Sequence, residues 1–93
     1  MSTTVLSTNR PHLARRTRLQ WDPVREQHML LAPEEVLVLN QTGATILELC
    51  DGEKTVAEVV EELREQYNSV DEDEVRDFLA RLVAKRWVEV GDE

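Results

Sequence analysis

Val36-Leu37-Val38-Leu39 limits what this 93-residue chain can fold into more than any other segment. Four apolar residues in a row, bracketed by Pro33-Glu34-Glu35 and Asn40, read as a short strand with no polar face. Such a strand is either covered on both faces by its own protein or left with an edge for another chain to pair with. Periodicity alone leaves both readings open.

The neighbouring residues supply the rest of an α+β domain. Arg18-Leu19-Gln20-Trp21 alternates polar and apolar side chains as a half-buried strand does. Asp22-Pro23 starts a turn, and His28-Met29-Leu30-Leu31 returns as its hairpin partner. Pro33, with no N–H to donate, halts pairing before the third strand at 36–39.

Three helices are expected after it. The first is capped by Asn40 or Thr42, carries Gly43, Ile46, Leu47 and Cys50 on one face, and ends at Asp51-Gly52. The second opens with the capping box Thr55-Val56-Ala57-Glu58 and buries Val56, Val59, Val60, Leu63 and Tyr67 before Asn68-Ser69 breaks it. The third begins near Asp71 and aligns Val75, Phe78, Leu79, Leu82 and Val83 in an apolar stripe. Trp87 to Val90 is extended and packs that last turn against the sheet. The order predicts an α+β, winged-helix-like fold: three short N-terminal strands followed by three helices. Residues 1–16, rich in Ser, Thr, Asn and Arg and without periodicity, read as a flexible N-terminal arm, and residues 17–91 as one domain.

Charge separates these parts. Residues 1–20 hold Arg10, Arg15, Arg16 and Arg18 and no acid, whereas the remainder holds 19 acidic and 7 basic side chains. A body that acidic repels nucleic acid and anionic membranes. The expected N-terminus of the third helix is Asp71-Glu72-Asp73-Glu74, where a helix-turn-helix protein would meet phosphate; the acids suit the helix dipole instead. A winged-helix nucleic-acid binder or transcriptional accessory is therefore the alternative reading rather than the leading one. One cysteine and no run of about 18 apolar residues fit a cytoplasmic protein without disulfide or membrane span.

No catalytic constellation is visible. His12, His28 and Cys50 are scattered over an arm, a strand and a helix without metal-ligand spacing, and Cys50 falls on a buried stripe. Neither catalysis nor a cofactor is expected. Glu58, Glu61, Glu62 and Glu65 give the second helix a solvated acidic face, with docking of a basic partner the lesser reading. Arg81 and Lys85 are four residues apart, share a face beside the apolar stripe, and also suit the helix C-terminus. If that face borders strand 36–39, the two elements make a groove with an apolar floor and a basic rim, suited to an extended acidic peptide.

The ordered series Pro11-His12-Leu13, Arg15, Trp21-Asp22, Leu31-Ala32-Pro33-Glu34, Leu39-Asn40 and Ile46-Leu47-Glu48-Leu49-Cys50-Asp51-Gly52 with Thr55 resembles the PqqD family. The resemblance runs from Pro11 to Val90. It implies a small protein of pyrroloquinoline quinone biosynthesis, with three strands and three helices, that recognises a ribosomally made precursor. The precursor peptide PqqA would add as a further strand between the third strand and third helix, for presentation to the radical SAM enzyme PqqE, which cross-links a glutamate to a tyrosine. Neither quinone nor iron–sulfur cluster would be bound by this chain. The resemblance places the groove at Val36, Leu37, Val38, Leu39 and Asn40 and along the third helix, where Val75, Phe78, Leu79 and Leu82 either line it or belong to the core. Trp21 is expected in the core, and Pro33, Asp51 and Gly52 as fold-building residues. The expected oligomeric state is a monomer, with dimerisation through the exposed strand left open.

Overall fold

Strand pairing imposes the alternation that the sequence lacks at 36–39. A computed structural model describes residues 4–91. In chain order its elements are β1 (Arg10–Leu13), β2 (Arg18–Asp22), β3 (Gln27–Ala32), β4 (Glu35–Leu39), α1 (Gln41–Glu48), α2 (Val56–Gln66), α3 (Glu72–Ala84) and β5 (Val88–Gly91). β2, β3 and β4 form an antiparallel sheet in that order. Leu19, Leu30 and Leu37 lie opposite one another across it, and so share its inner face. The next row, Met29 and Val38, faces the other way, as does Leu31 with Val36. Leu30 is fully buried and Leu39 nearly so, whereas Val36 and Val38 are 61% and 51% exposed. The sheet thus keeps an apolar outer side that no other described element covers.

The helices close over the inner side. Leu30 and Leu39 join Ile46 and Leu47 of α1, Val56, Val59, Val60 and Leu63 of α2, and Val75, Leu79 and Leu82 of α3 in one core. Each helix starts as the sequence predicts. Asn40 caps α1, its Oδ1 accepting from the Gly43 amide at 2.7 Å. Thr55 and Glu58 form the reciprocal capping box of α2, at 3.2 and 2.8 Å. Asp71 caps α3, whose first turn carries Glu72, Asp73 and Glu74. Thr45, the one buried polar residue of α1, donates to the Gln41 carbonyl and bonds the Tyr67 hydroxyl. Tyr67 follows the end of α2 and is only half-buried.

The flexible arm expected at 1–16 is a correction, although residues 1–3 lie outside the described chain. β1 pairs with β5, Arg10 opposite Gly91 and Leu13 opposite Val88, making a second sheet of two strands. Val5 is buried, and the carbonyls of Ser7 and Asn9 accept from the first two amides of α2, at Ala57 and Val56. The Pro11 carbonyl accepts from Gly52, whose φ of +83° suits glycine. Residues 4–16 therefore fold by completing the backbone hydrogen bonding of other elements. A polar segment ordered in that way has no hydrophobic period to betray it. The extended segment expected at 87–90 likewise pairs with β1, through Val88–Gly91, rather than merely packing on the first sheet.

Trp21 is a second correction. It is 47% exposed, and its ring leans on His28 with centroids 4.8 Å apart. β2 is an edge strand, and Trp21 sits at its last inward position before the turn, where the core tapers off.

Two outcomes test this description. Deleting residues 1–9 should speed hydrogen exchange at the Val56 and Ala57 amides while leaving Leu30 protected; unchanged exchange at 56 and 57 would refute the anchoring role. The second concerns Asp51, whose Oδ1 accepts from the amides of Glu53 and Lys54 and whose Oδ2 meets Lys54 Nζ. These bonds lower its pKa from 3.8 to about 2, the Glu53 amide contributing most. A carboxyl whose pKa falls on folding adds stability above its unfolded value and loses it as pH falls through the folded one. The difference in urea midpoint between wild type and Asp51→Ala should be complete above pH 3.8 and vanish toward pH 2.

Candidate functional site

β4 is the outermost strand of its sheet, and its free side faces α3. The direction of its backbone groups follows from the turn before it. Ala32 pairs with Glu35 around Pro33-Glu34, and Pro33 has no N–H, so this closing pair itself carries the hydrogen bonds. Bonded and non-bonded pairs then alternate. Leu37 and Leu39 point their amides and carbonyls at β3, while Val36 and Val38 point theirs outward. Among the described residues no strand pairs with that side.

Between this edge and α3 lies a groove of about 390 Å³. Leu37, Val38, Leu39 and Asn40 form one wall, Phe78, Arg81, Leu82 and Lys85 the other, and Trp87 closes one end. Phe78, Arg81, Leu82 and Lys85 share a helix face by their spacing of three and four. The structure thus brings together most of the residues singled out in the sequence, and separates three from them. Val75 and Leu79 are buried beneath α3 in the core and do not line the groove. They occupy the inner half of a stripe too wide to serve a single surface. Val36 lies on the exposed outer face of β4 and does not line the groove.

Trp87 is the lining residue that sequence reasoning missed. α3 ends in a Schellman motif: the Trp87 amide donates to the Leu82 carbonyl and the Arg86 amide to that of Val83. Arg86 takes the left-handed conformation (φ 69°), usually glycine's place. The reversal folds Trp87, 5% exposed, back under Leu82. An apolar residue two positions past a helix end was the available signal.

Gly43 sets the depth of the groove on its α1 side. A Cβ there would lie 3.1 Å from Phe78 Cζ and 3.1 Å from Asn40 Oδ1, so the ring of Phe78 sits where a side chain would be.

Other candidates offer less. A larger depression of about 490 Å³ lies on the acidic side of α2, but its groups are occupied locally. Glu58 closes the capping box, Lys54 joins Asp51 and Glu62, and Arg64 joins Glu61. Cys50 is buried, donates to the Ile46 carbonyl, and has its pKa pushed up to about 12 by burial and then by Asp51. It stays a thiol at neutral pH, unsuited to nucleophilic work. Among the described residues, no three His, Cys, Asp or Glu side chains are grouped to hold a metal. No described helix is long and apolar enough to cross a membrane.

A free sheet edge facing an apolar helix wall is the geometry of modules that take in an extended chain as an added strand. Comparison with known proteins gives this module its family. The sequence profile of "Coenzyme PQQ synthesis protein D (PqqD)" matches residues 27–88. A protein of Azotobacter vinelandii called "PqqA binding protein" is 38% identical, over 97% of this chain and 99% of its own length. The chain also superposes on the solution NMR structure of the PqqD truncation of Methylobacterium extorquens PqqCD. The TM-score is 0.75 and the identity 35%, covering 94% of this chain and 96% of that one. That protein is described as a functional, stand-alone recognition element for ribosomally synthesised and post-translationally modified peptides. At 24% identity the heterocyclase TruD shares the fold, with a TM-score of 0.66 over 89% of this chain and 12% of its own. The chain belongs to the PqqD family.

Gly43→Ala should leave the fold intact and change stability by no more than about 1 kcal/mol, since the gain in helix propensity opposes the contact with Phe78. The methyl resonances of Leu37 and Leu82 should shift as the ring moves into the groove; unmoved methyls would show that Gly43 does not set its depth.

Proposed function

We infer that this chain is a peptide chaperone of pyrroloquinoline quinone biosynthesis. It binds the precursor peptide PqqA by strand addition at the free edge of β4 and presents it to the radical SAM enzyme PqqE. The observation that carries the reading is the outward-facing pair of backbone groups at Val36 and Val38, set beside an apolar helix wall. Two N–H and two C=O groups are spaced for a partner strand, which supplies affinity without regard to sequence. Alternate side chains of that partner would enter the groove between Leu37, Leu39, Phe78, Leu82 and Trp87, which supplies selectivity. The relatives named for PqqA binding and the recognition-element structure support this choice of peptide.

The chain contributes no chemistry in this reading. It removes conformational freedom from the precursor so that an enzyme acting in trans meets it pre-ordered. It acts in the cytoplasm as a monomer and needs no cofactor, nucleic acid or membrane.

Val38→Pro tests the edge directly. It removes one outward N–H and leaves the ladder to β3 intact, which an edge strand tolerates. With the β3 amides unshifted, PqqA affinity should fall roughly tenfold or more, because a carbonyl of the bound peptide is left unpaired. Undiminished affinity in this folded variant would rule out strand addition. In a titration followed by NMR, amides of residues 36–40 should move most; shifts confined to α2 would move the site to its acidic face.

A further inference from the structure

Eleven Lys and Arg side chains stand among nineteen Asp and Glu in this chain, so anionic partners are plentiful. Lys54, Arg64 and Arg76 take them. Eight others form no ion pair with any described residue: Arg10 donates to the Glu53 carbonyl and Arg25 lies in the β2–β3 turn, while the remaining six, Arg15, Arg16, Arg18, Arg81, Lys85 and Arg86, gather in one region. Beyond Lys85 and Trp87 the groove runs into a depression of about 350 Å³ beside the β3–β4 turn, which Arg15 and Arg86 also line. That depression shares Thr17, Ala32 and Pro33 with a third, of about 380 Å³, which adds Arg16 and Arg18. Glu34 and Glu35 are the acids in the trough, and neither pairs with these bases.

The C-terminal dipole of α3 accounts for Arg81, Lys85 and Arg86. It does not account for Arg15, Arg16 and Arg18, which arrive from the β1–β2 connection and from β2. Nor does it explain the backbone at two of the six. Arg16 and Arg86 both hold φ of 69°, in the left-handed region where a glycine would sit without strain. At these two points the chain keeps a cation where backbone preference favours a residue with no side chain.

We propose that this basic trough is a second recognition subsite, which binds a cluster of carboxylates in the same peptide, on the flank that leaves β4 at its Pro33 end. The inference rests on strand addition at β4, because the trough continues the groove, sharing Lys85 and Trp87 with it, past the Pro33 end of that strand. A short acidic flank matches six unpaired cations. A nucleic acid matches them less well, since beyond residue 20 the chain holds 19 acidic and only 7 basic side chains. The subsite fixes which way round the peptide lies, as main-chain hydrogen bonding alone does so weakly.

The left-handed positions allow a test that spares the fold. Arg16→Gly with Arg86→Gly removes two charges while relieving backbone strain, so the thermal midpoint should stay or rise. Calorimetric titration of full-length protein would use PqqA and a copy with every Asp and Glu amidated to Asn and Gln. Wild type should bind the amidated copy roughly three- to tenfold more weakly than PqqA. The double variant should lose a similar factor for PqqA and nothing for the copy, and added salt should shrink the wild-type preference. Equal wild-type affinity for the two peptides, or an equal loss for both in the variant, would overturn the subsite while leaving strand addition standing. Loss of both peptides on Val38→Pro marks strand addition as intact; binding of neither peptide to wild type would remove both readings. A DNA duplex retained by wild type at about 150 mM salt and released by the variant would assign the trough to phosphate and overturn the proposal.

Discussion

The antiparallel register between β3 and β4 is the constraint on which the rest depends. With side chains alternating every residue, a slip of one would turn Leu37 and Leu39 outward and push Val36 and Val38 into the core. The tight turn at Pro33-Glu34 and the fully buried Leu30 opposite Leu37 prevent it. The same register decides which backbone groups are spent on β3 and which remain. The apolar residues of β4 whose side chains are exposed, Val36 and Val38, are therefore also those whose backbone is free.

α3 then serves two surfaces with a single stripe. Val75 and Leu79 hold it to the core, so the wall made by Phe78, Leu82 and the two cations is fixed without help from a ligand. The far wall is equally fixed, because β4 is bonded to β3 along its other side. A gap between two independently anchored elements stays open, whereas a gap between loops would collapse onto its apolar lining. Gly43, by making room for Phe78, links the cap of α1 to the shape of this gap.

Much of this was legible in the sequence, and the limits have physical causes. Helix starts could be read because Asn40, Thr55 and Asp71 cap through their own side chains, within three residues. The groove followed from an apolar run set against a stripe with Arg81 and Lys85 beside it. The share of Val75 and Leu79 could not be assigned, because a stripe does not say how wide its contact is. β1 was missed for another reason. Its pairing with β5 spans almost the whole chain, and the bonds of Ser7 and Asn9 to α2 involve carbonyls that every residue has. Trp21 misled because a large aromatic residue in an alternating strand suggests burial, and only the position of β2 at the sheet margin leaves it half open.

The pairing of β1 with β5 has an architectural consequence. Arg10 lies directly across from Gly91, so the first and last strands stand one ladder spacing apart, about 5 Å. A host protein could accept such a unit within a surface loop, or carry it at either end, with little distortion of its own backbone. The fold also makes up a small fraction of a much larger enzyme chain. Portability of this kind is a property of the two-stranded seam, independent of the free edge on the other sheet.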